Sequence, residues 1–150
     1  MKRLSAGPVL LLVGAVVFLV GLPLQWSSVS FPDGTTIALR GIDYASYDIV
    51  TTVVLGLALI VAAFGVAGAR RWGVILGVVA ALLACMWGAL VVVAAANPSA
   101  DAGSLSGVNV SIGLGAYAVA AGAVVALIGA VLSFRGRSVA VVTSGVPSSV

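Results

Sequence analysis

The 150-residue sequence has no histidine and no glutamate, and its only cysteine is Cys85. Zinc sites, haem ligation and Cys–His catalysis draw on histidine or on several cysteines, so these chemistries have almost no ligands here. A single cysteine excludes an intrachain disulfide, and Cys85 lies inside a long apolar run, where a small buried side chain is the ordinary interpretation. We therefore expect no bound metal and no cofactor.

Charge is equally scarce, because charged residues make up only 7% of the chain while hydrophobic residues make up 62%. A soluble domain carries about 25% charged residues, and the mean hydropathy of +1.29 is that of a membrane protein. Four apolar runs are each close to the roughly 20 residues that cross a hydrocarbon core. They are Ala6–Leu24, Ile49–Ala69, Trp72–Ala96 and Val110–Phe134.

These runs predict an all-α membrane protein, a single domain over residues 1–150 built as a four-transmembrane-helix bundle. Residues 25–48 and 97–109 form its external loops and residues 135–150 a cytoplasmic tail that is disordered or lies on the membrane surface. Residues 97–109 read as a flexible link, although Val108-Asn109-Val110 can add a short extended piece beside the first loop. The N-terminal run lacks a small-x-small cleavage site, so we expect an uncleaved helix rather than a signal peptide.

The interiors of the four runs contain no Asp, Glu, Lys, Arg or His. Because proton relays and ion-coupled carriers depend on ionisable residues inside the membrane, both functions are disfavoured. The sequence also has no phosphate-binding glycine loop and no nucleophile with a base in a recognisable motif. We expect the protein not to be an enzyme.

The few charges are segregated, and basic residues near the spans mark the cytoplasmic side. The distribution predicts a cell-membrane protein with both termini in the cytoplasm, and it explains the net charge of +3 without a nucleic-acid partner. One side of a four-span arrangement holds Lys2, Arg3, Arg70, Arg71, Arg135 and Arg137, and the other holds Arg40 with Asp33, Asp43, Asp48 and Asp101.

The first external loop predicts a β-hairpin around Pro32-Asp33-Gly34. Proline presets φ at the second turn position, aspartate suits the third, and glycine tolerates the positive φ that follows. Pairing Phe31 with Thr35 places Val29 opposite Ile37 and Ser27 opposite Leu39. Since the pair then carries one apolar face, and an isolated hairpin is marginal in water, we expect that face to pack on the helix ends, on the second loop or on a partner protein.

The loop is also the main candidate for a recognition surface. Trp26 has the position of an interfacial aromatic anchor, and Asp43, Ser46 or Asp48 can cap the second helix. A ligand or ion site formed by Asp43 and Asp48 is the less favoured alternative. The candidate recognition residues are Trp26, Phe31, Asp33, Gly34, Arg40, Asp43 and Asp48.

Glycine spacing predicts close helix packing. Two pairs of glycines repeat at seven residues, and Gly73 and Gly77 form a GxxxG motif that allows backbones to approach in lipid. We favour packing within the chain over dimerisation through this motif. The candidate packing residues are Gly14, Gly21, Gly73, Gly77, Gly122 and Gly129.

Several short motifs resemble those of small, uncharacterised four-span membrane proteins of actinobacteria and their phages. The plan of four spans with a β-containing first loop is also similar to that of claudins and other tetraspan proteins, but the paired loop cysteines of claudins are missing. The resemblance implies an envelope protein and no particular activity. The motifs are Leu22-Pro23-Leu24-Gln25-Trp26, Phe31-Pro32-Asp33-Gly34, Gly41-Ile42-Asp43 and Ile112-Gly113-Leu114-Gly115-Ala116-Tyr117.

These patterns favour a non-enzymatic integral membrane protein that acts through protein contacts as an envelope accessory or scaffold. Its expected partners are the lipid bilayer and a membrane or envelope protein, with self-association as an alternative. The second hypothesis is a phage-encoded membrane effector, either a superinfection-exclusion protein or a holin-like pore former. The near absence of polar residues in the spans argues against a stable aqueous pore.

Overall fold

The computed structural model describes residues 6–43, 46–96 and 108–143, with side chains described as far as Arg135. Within these ranges four helices and a small three-stranded sheet account for most of the chain. In chain order the elements are α1 (Ala6–Val20), β1 (Gln25–Ser30), β2 (Thr36–Arg40), a 3₁₀ turn (Gly41–Asp43), α2 (Ser46–Ala67), α3 (Arg71–Ala96), β3 (Asn109–Ile112) and α4 (Leu114–Thr143).

Three of the helices, α2, α3 and α4, are long and apolar enough to cross a membrane. The first is shorter, with 15 residues, which corresponds to about 22 Å at 1.5 Å per residue. It ends before Leu24, where we predicted the end of the first span, because Leu22 precedes Pro23 and a residue before proline disfavours the helical conformation. The chain turns there through a hydrogen bond from the Leu22 amide to the Leu19 carbonyl (3.1 Å).

The other predicted spans correspond closely to helices, with corrections at their ends. α2 begins at Ser46 rather than Ile49, and α3 matches its prediction to within one residue. α4 begins only at Leu114, because Asn109–Ile112 forms β3, and it continues past Phe134 to Thr143. The first part of the predicted tail, up to Thr143, is therefore helical, and it contains no proline. The second external loop lies largely outside the described residues.

The four helices form a closed antiparallel ring in which each helix contacts the next and α4 contacts α1. The α1–α4 contact is the most extensive, and its centre is a row of glycines whose backbones nearly touch. A Cβ atom added to Gly14 would lie 2.4 Å from the backbone nitrogen of Ala126, and one added to Gly122 would lie 2.4 Å from that of Phe18. The row pairs Gly7 with Gly129, Gly14 with Gly122, and Gly21 with Gly115.

The GxxxG motif of α3 also faces the inside of the bundle. An added Cβ at Gly73 would lie 2.4 Å from the carbonyl carbon of Gly65 in α2, while one at Gly77 would meet side-chain atoms of Leu11 and Ala62. Gly73 and Gly77 are both buried. Both glycines of the motif therefore lie at helix contacts within the chain.

The core is filled mainly by small residues, with a few larger side chains at its centre. Leu11, Phe18 and Leu59 are completely buried, together with many alanines. Large apolar side chains instead cover the outside of the bundle, such as Phe64 (68% exposed) and Ile75 (67% exposed). A soluble domain rarely exposes so much contiguous apolar surface, whereas lipid is a favourable environment for it.

A tight turn joins α2 to α3 and uses alanine where glycine is usual. The Arg70 amide donates to the Gly65 carbonyl (3.0 Å), and the Ala69 amide donates to the Val66 carbonyl (3.0 Å). These are the two hydrogen bonds of a Schellman motif. Ala69 occupies its left-handed position with φ of 56°, a conformation that costs a residue with a Cβ atom about 1 kcal/mol or more.

Candidate functional site: a sheet on the helix bundle

The predicted hairpin is present with the predicted register. Val29 lies opposite Ile37 and Ser27 opposite Leu39, and the Phe31 amide donates to the Thr35 carbonyl (2.8 Å). Gly34 has a φ of +86°, which is the left-handed conformation that the turn requires and that glycine adopts without strain.

Asp33 organises this turn by an electrostatic interaction with Thr35. Its Oδ1 accepts a hydrogen bond from the Thr35 amide (2.9 Å) and a second from the Thr35 hydroxyl. The hydroxyl bond and then the amide bond hold the pKa of Asp33 below its ordinary value, because both favour the ionised carboxylate. Arg40, at the other end of β2, donates its backbone amide to Asp43 Oδ2 (2.8 Å).

A third strand completes the sheet, in the order β2-β1-β3, with both neighbours antiparallel to β1. The expectation that residues near Asn109 extend beside the hairpin is thereby confirmed. One sheet face is polar, with the Ser28 and Ser111 hydroxyls 2.6 Å apart. The opposite face carries Val29 beside Val110 and Ile37.

The apolar face is covered only in part. Ser27 is completely buried near the bundle, and its partner Ile112 packs against the hydrophobic core. Exposure rises toward β2, where Ile37 is 51% exposed. The prediction that this face packs on the helix ends thus holds for the bundle side of the sheet. Within the described residues, the apolar face stays uncovered on the β2 side of the sheet.

The outer edge of β2 is also open in the described part of the chain, because β2 ends the strand order. Hydrogen-bonded and non-hydrogen-bonded pairs alternate along an antiparallel ladder, and the Phe31–Thr35 pair is hydrogen-bonded. The amides of Thr36 and Ala38 therefore point away from β1, while that of Ile37 points toward it. An edge of this kind can pair with an extended segment of another chain.

The sheet is fixed to the bundle through Trp26. Gln25 pairs with Arg40 but Ser27 pairs with Leu39, so Trp26 is the extra residue of a β-bulge. The bulge explains why consecutive residues are both buried, which a regular strand would not allow. The indole is 2% exposed, and its Nε1 donates to the Gly21 carbonyl (2.9 Å).

Three glycines allow this arrangement by leaving space for the chain around Trp26. An added Cβ at Gly41 would lie 2.4 Å from the indole, and one at Gly115 would lie 2.7 Å from it. Gly113 donates its amide to the Trp26 carbonyl (2.7 Å). The motifs that contain Trp26, Gly41, Gly113 and Gly115 are thus brought together, and their shared role here is to join the sheet to the helices.

A cleft of about 300 Å³ opens beside this junction, between the beginning of α2 and the end of α3. The Trp87 indole Nε1 donates to the Thr52 hydroxyl (2.9 Å), and that hydroxyl donates to the Asp48 carbonyl (2.8 Å). The side chains around the cleft include Trp26, Tyr47, Asp48, Trp87, Leu90 and Val93.

The structure separates the candidate recognition residues into distinct places. Phe31, Asp33, Gly34 and Arg40 lie on the hairpin, where Phe31 is half-buried and the other three are exposed. Trp26 is buried, so it packs the junction instead of acting as the exposed interfacial anchor that we predicted. For the less favoured alternative, a site formed by Asp43 and Asp48, the structure shows Asp48 in the lining of the cleft and Asp43 outside that lining.

Several residues that shape the helix packing and the cleft were not among the predicted ones. Gly7 and Gly115 continue the seven-residue spacing of the glycines already identified, and this spacing was visible in the sequence. Thr52 and Trp87 are 35 positions apart, so nothing local indicated that they meet. Among the described residues no group of three or more His, Cys, Asp or Glu is placed to hold a metal ion.

Comparison of the sequence with known protein families and with curated proteins finds no match. The resemblance to small four-span proteins of actinobacteria and phages therefore stays a prediction. What is established is an apolar helical bundle, with three helices of membrane-crossing length, that carries a small β-sheet at one end.

Proposed function

We propose that this protein is a non-enzymatic integral membrane protein that acts through protein contacts, as an accessory or scaffold of the cell envelope. The observation that carries the proposal is the edge of β2, which is open in the described part of the chain and is joined to an apolar bundle by the Trp26 junction. Its partner is an extended segment of another envelope protein, which adds to the sheet beside β2 by backbone hydrogen bonds.

The proposed orientation is a four-span topology with both termini in the cytoplasm and the sheet outside. Arg70 and Arg71 lie at the α2–α3 turn and Arg135 near the end of α4, whereas the hairpin and Asp48 belong to the opposite end of the antiparallel ring. Basic residues are retained on the cytoplasmic side, so this distribution supports an external sheet. α1, although short, completes the ring and would cross with the other three.

A pore-forming phage effector is supported less well. The centre of the ring is occupied by fully buried Leu11, Phe18 and Leu59 together with alanines, and this packing favours a solid bundle over a channel within one chain. A pore between copies would need polar helix faces, and the large exposed side chains of the described helices are predominantly apolar. Superinfection exclusion requires only an anchor and a contact surface, so it is a special case of the contact function.

The test uses a proline placed where it blocks the edge and spares the hairpin. Ala38→Pro removes an amide that points away from β1, so the β1–β2 ladder keeps its hydrogen bonds. Ala38→Val is the matched control, because it keeps the amide and suits a strand. Tagged protein is captured from membranes after mild crosslinking and its companions are identified by mass spectrometry.

We expect a stoichiometric partner with the parent protein and with Ala38→Val, and recovery reduced about tenfold with Ala38→Pro, since each lost hydrogen bond weakens binding by about 1 kcal/mol and neighbouring bonds are lost with it. A partner recovered equally with all three proteins would contradict edge pairing. Capture of the chain alone, with loss of membrane potential on expression, would favour the pore-forming alternative.

A further inference from the structure

We propose that the outer face of the α3–α4 pair binds the headgroup of an anionic phospholipid between Arg71 and Arg135. These two arginines lie at the end of the bundle opposite the sheet. The site depends on the proposed membrane placement of the bundle but not on the β2 edge, so the two can be tested separately.

The packing of α3 against α4 brings the two arginines to the same level. The helices are antiparallel, and an added Cβ at Gly77 would lie 3.9 Å from the Ala130 Cβ atom. Arg71 precedes Gly77 by six residues, which is about 9 Å along the axis of α3. Arg135 follows Ala130 by five residues, which is about 7.5 Å along α4 toward the same end. Because packed helices are about 8 to 10 Å apart, two long side chains at one level can reach the same phosphate group.

Arg135 lies on the outside of α4, on the side nearest to α3. Gly129 faces α1, and Ala120 faces α3, where it meets Gly88. At about 100° per residue, Arg135 is about 60° from Ala120 around the helix and about 120° from Gly129. Its side chain is exposed.

Arg71 has the corresponding position on α3, on the outside and nearest to α4. Gly88 faces α4, and Gly73 faces α2, where it meets Gly65. Arg71 is about 100° from Gly88 around the helix and about 160° from Gly73, and its side chain is exposed. Each arginine is therefore turned outward and toward the neighbouring helix of the pair.

The same face continues toward the middle of the bundle as an apolar stripe. Residues four positions apart share a helix face, so Ile75 follows Arg71 and Val131 precedes Arg135 on this side. Ile75 is 67% exposed and Val131 is 41% exposed, and acyl chains can lie along them. Trp72, which is 45% exposed, is beside the arginines at the level where tryptophan is enriched, the membrane–water interface.

The charges at this end call for an anion. Among the described residues, the carboxylates of Asp33, Asp43 and Asp48 all belong to the sheet end, so neither arginine has an acidic partner within this part of the chain. Arg71 is also the first residue of α3, whose first turn has no acidic residue, although the positive end of a helix dipole disfavours a basic one. A phosphate complements both charges, and the planar guanidinium group binds phosphate through paired hydrogen bonds.

The test is native mass spectrometry of the full chain in detergent, with dioleoyl phosphatidylglycerol and dioleoyl phosphatidylcholine as probes of equal acyl chains. Arg135→Gln removes one cation. A charge-shift variant, Arg71→Gln with Ala67→Arg, moves the other cation to the exposed end of α2, so the net charge of this end stays the same. Arg40→Gln removes a cation at the opposite end and serves as the control.

We expect the parent protein and Arg40→Gln to bind phosphatidylglycerol more tightly than phosphatidylcholine. Arg135→Gln and the charge-shift variant should each weaken phosphatidylglycerol binding about fivefold, which corresponds to the roughly 1 kcal/mol that a basic residue contributes at an anionic membrane surface. Equal phosphatidylglycerol binding by the parent and the charge-shift variant would show attraction to net charge alone and would overturn the site. Equal binding of the two lipids by the parent would overturn it even if a variant failed to fold.

Glycerol 3-phosphate distinguishes a lipid from a soluble phosphate compound, because it carries an anionic phosphate without acyl chains. It should leave phosphatidylglycerol bound when added at the same concentration, since it gains nothing from the apolar stripe. Displacement of the lipid under this condition would identify a soluble phosphate compound as the ligand and would contradict lipid recognition. These results are independent of the β2 edge, which the capture experiment with Ala38→Pro tests.

Discussion

Replacing Gly122 with alanine should destabilise the bundle by about 2 kcal/mol, because the added methyl group has no space between α1 and α4. Its Cβ would lie 2.4 Å from the Phe18 amide nitrogen, 2.8 Å from the Gly14 carbonyl oxygen and 2.8 Å from the Phe18 Cα. All three are backbone atoms, so a rotamer change cannot relieve the contact. The two helices have to move apart instead.

The size of the effect follows from that separation. A carbon atom needs about 3.5 Å to its neighbours, so α1 and α4 would have to separate locally by about 1 Å, a gap that forfeits up to half of each van der Waals contact along the glycine row. Overpacking of a well-packed core costs about 3 kcal/mol at the upper end of its usual range. The better helix propensity of alanine offsets about 1 kcal/mol of this cost.

Gly77→Ala is the matched control, since it makes the same substitution at another buried helical glycine. Its added Cβ would lie 3.1 Å from the Leu11 Cδ1 atom and 3.6 Å from the Ala62 Cβ atom, and the leucine end can give way. Unfolding of both variants in detergent, followed by circular dichroism, should show a lower midpoint for Gly122→Ala and a nearly unchanged one for Gly77→Ala. Equal midpoints would refute the glycine-row packing.

Three further predictions concern other parts of the chain. Ala69→Gly should stabilise the protein by about 1 kcal/mol, because the residue has a φ of 56° and glycine adopts this conformation without strain; an unchanged or lower midpoint would contradict this. In a background with Cys85→Ala, Asp33→Cys should react with an impermeant thiol reagent on intact cells and Arg71→Cys only after lysis, and the reverse pattern would invert the proposed topology. The stabilisation of the hairpin turn by Asp33 should be complete above the ordinary aspartate range and be lost as the pH falls through its lowered pKa; an NMR titration of the Thr35 amide with its midpoint at or above the ordinary value would contradict this.

The hairpin was predictable from the sequence because its determinants are local. Pro32, Asp33 and Gly34 each favour one position of the turn, and the turn then sets the register of Val29 against Ile37. The third strand was partly predictable from the residues near Asn109. The strand order was not, since it depends on where α3 and α4 place that segment.

The burial of Trp26 could not be predicted from the sequence. A tryptophan that follows a helix gives the same sequence pattern whether its side chain lies at the membrane–water interface or in the protein core. A β-bulge decides the outcome here, and nothing in the local sequence marks it. The glycines illustrate the same limit. Their seven-residue spacing was readable on each helix, but which glycine meets which depends on the packing of α1 against α4.

The cleft was the least predictable feature. Its parts come from β1, the start of α2 and the end of α3, and they meet only after the bundle forms. Asp48 was identified as a candidate recognition residue and helix cap, with Asp43 as its partner only in the less favoured alternative. The fold instead places Asp48 at a cleft that Trp87 also lines, and Asp43 is not part of that lining.

The most direct test of the contact function is site-specific photocrosslinking in living cells. A photoreactive residue at Thr36 lies on the proposed edge, and one at Leu57, which is 52% exposed on α2, lies on the apolar outside of the bundle. We expect a discrete adduct with another envelope protein from position 36, which is absent from position 57 and is abolished by Ala38→Pro. No adduct from position 36, or the same adduct from both positions, would contradict it.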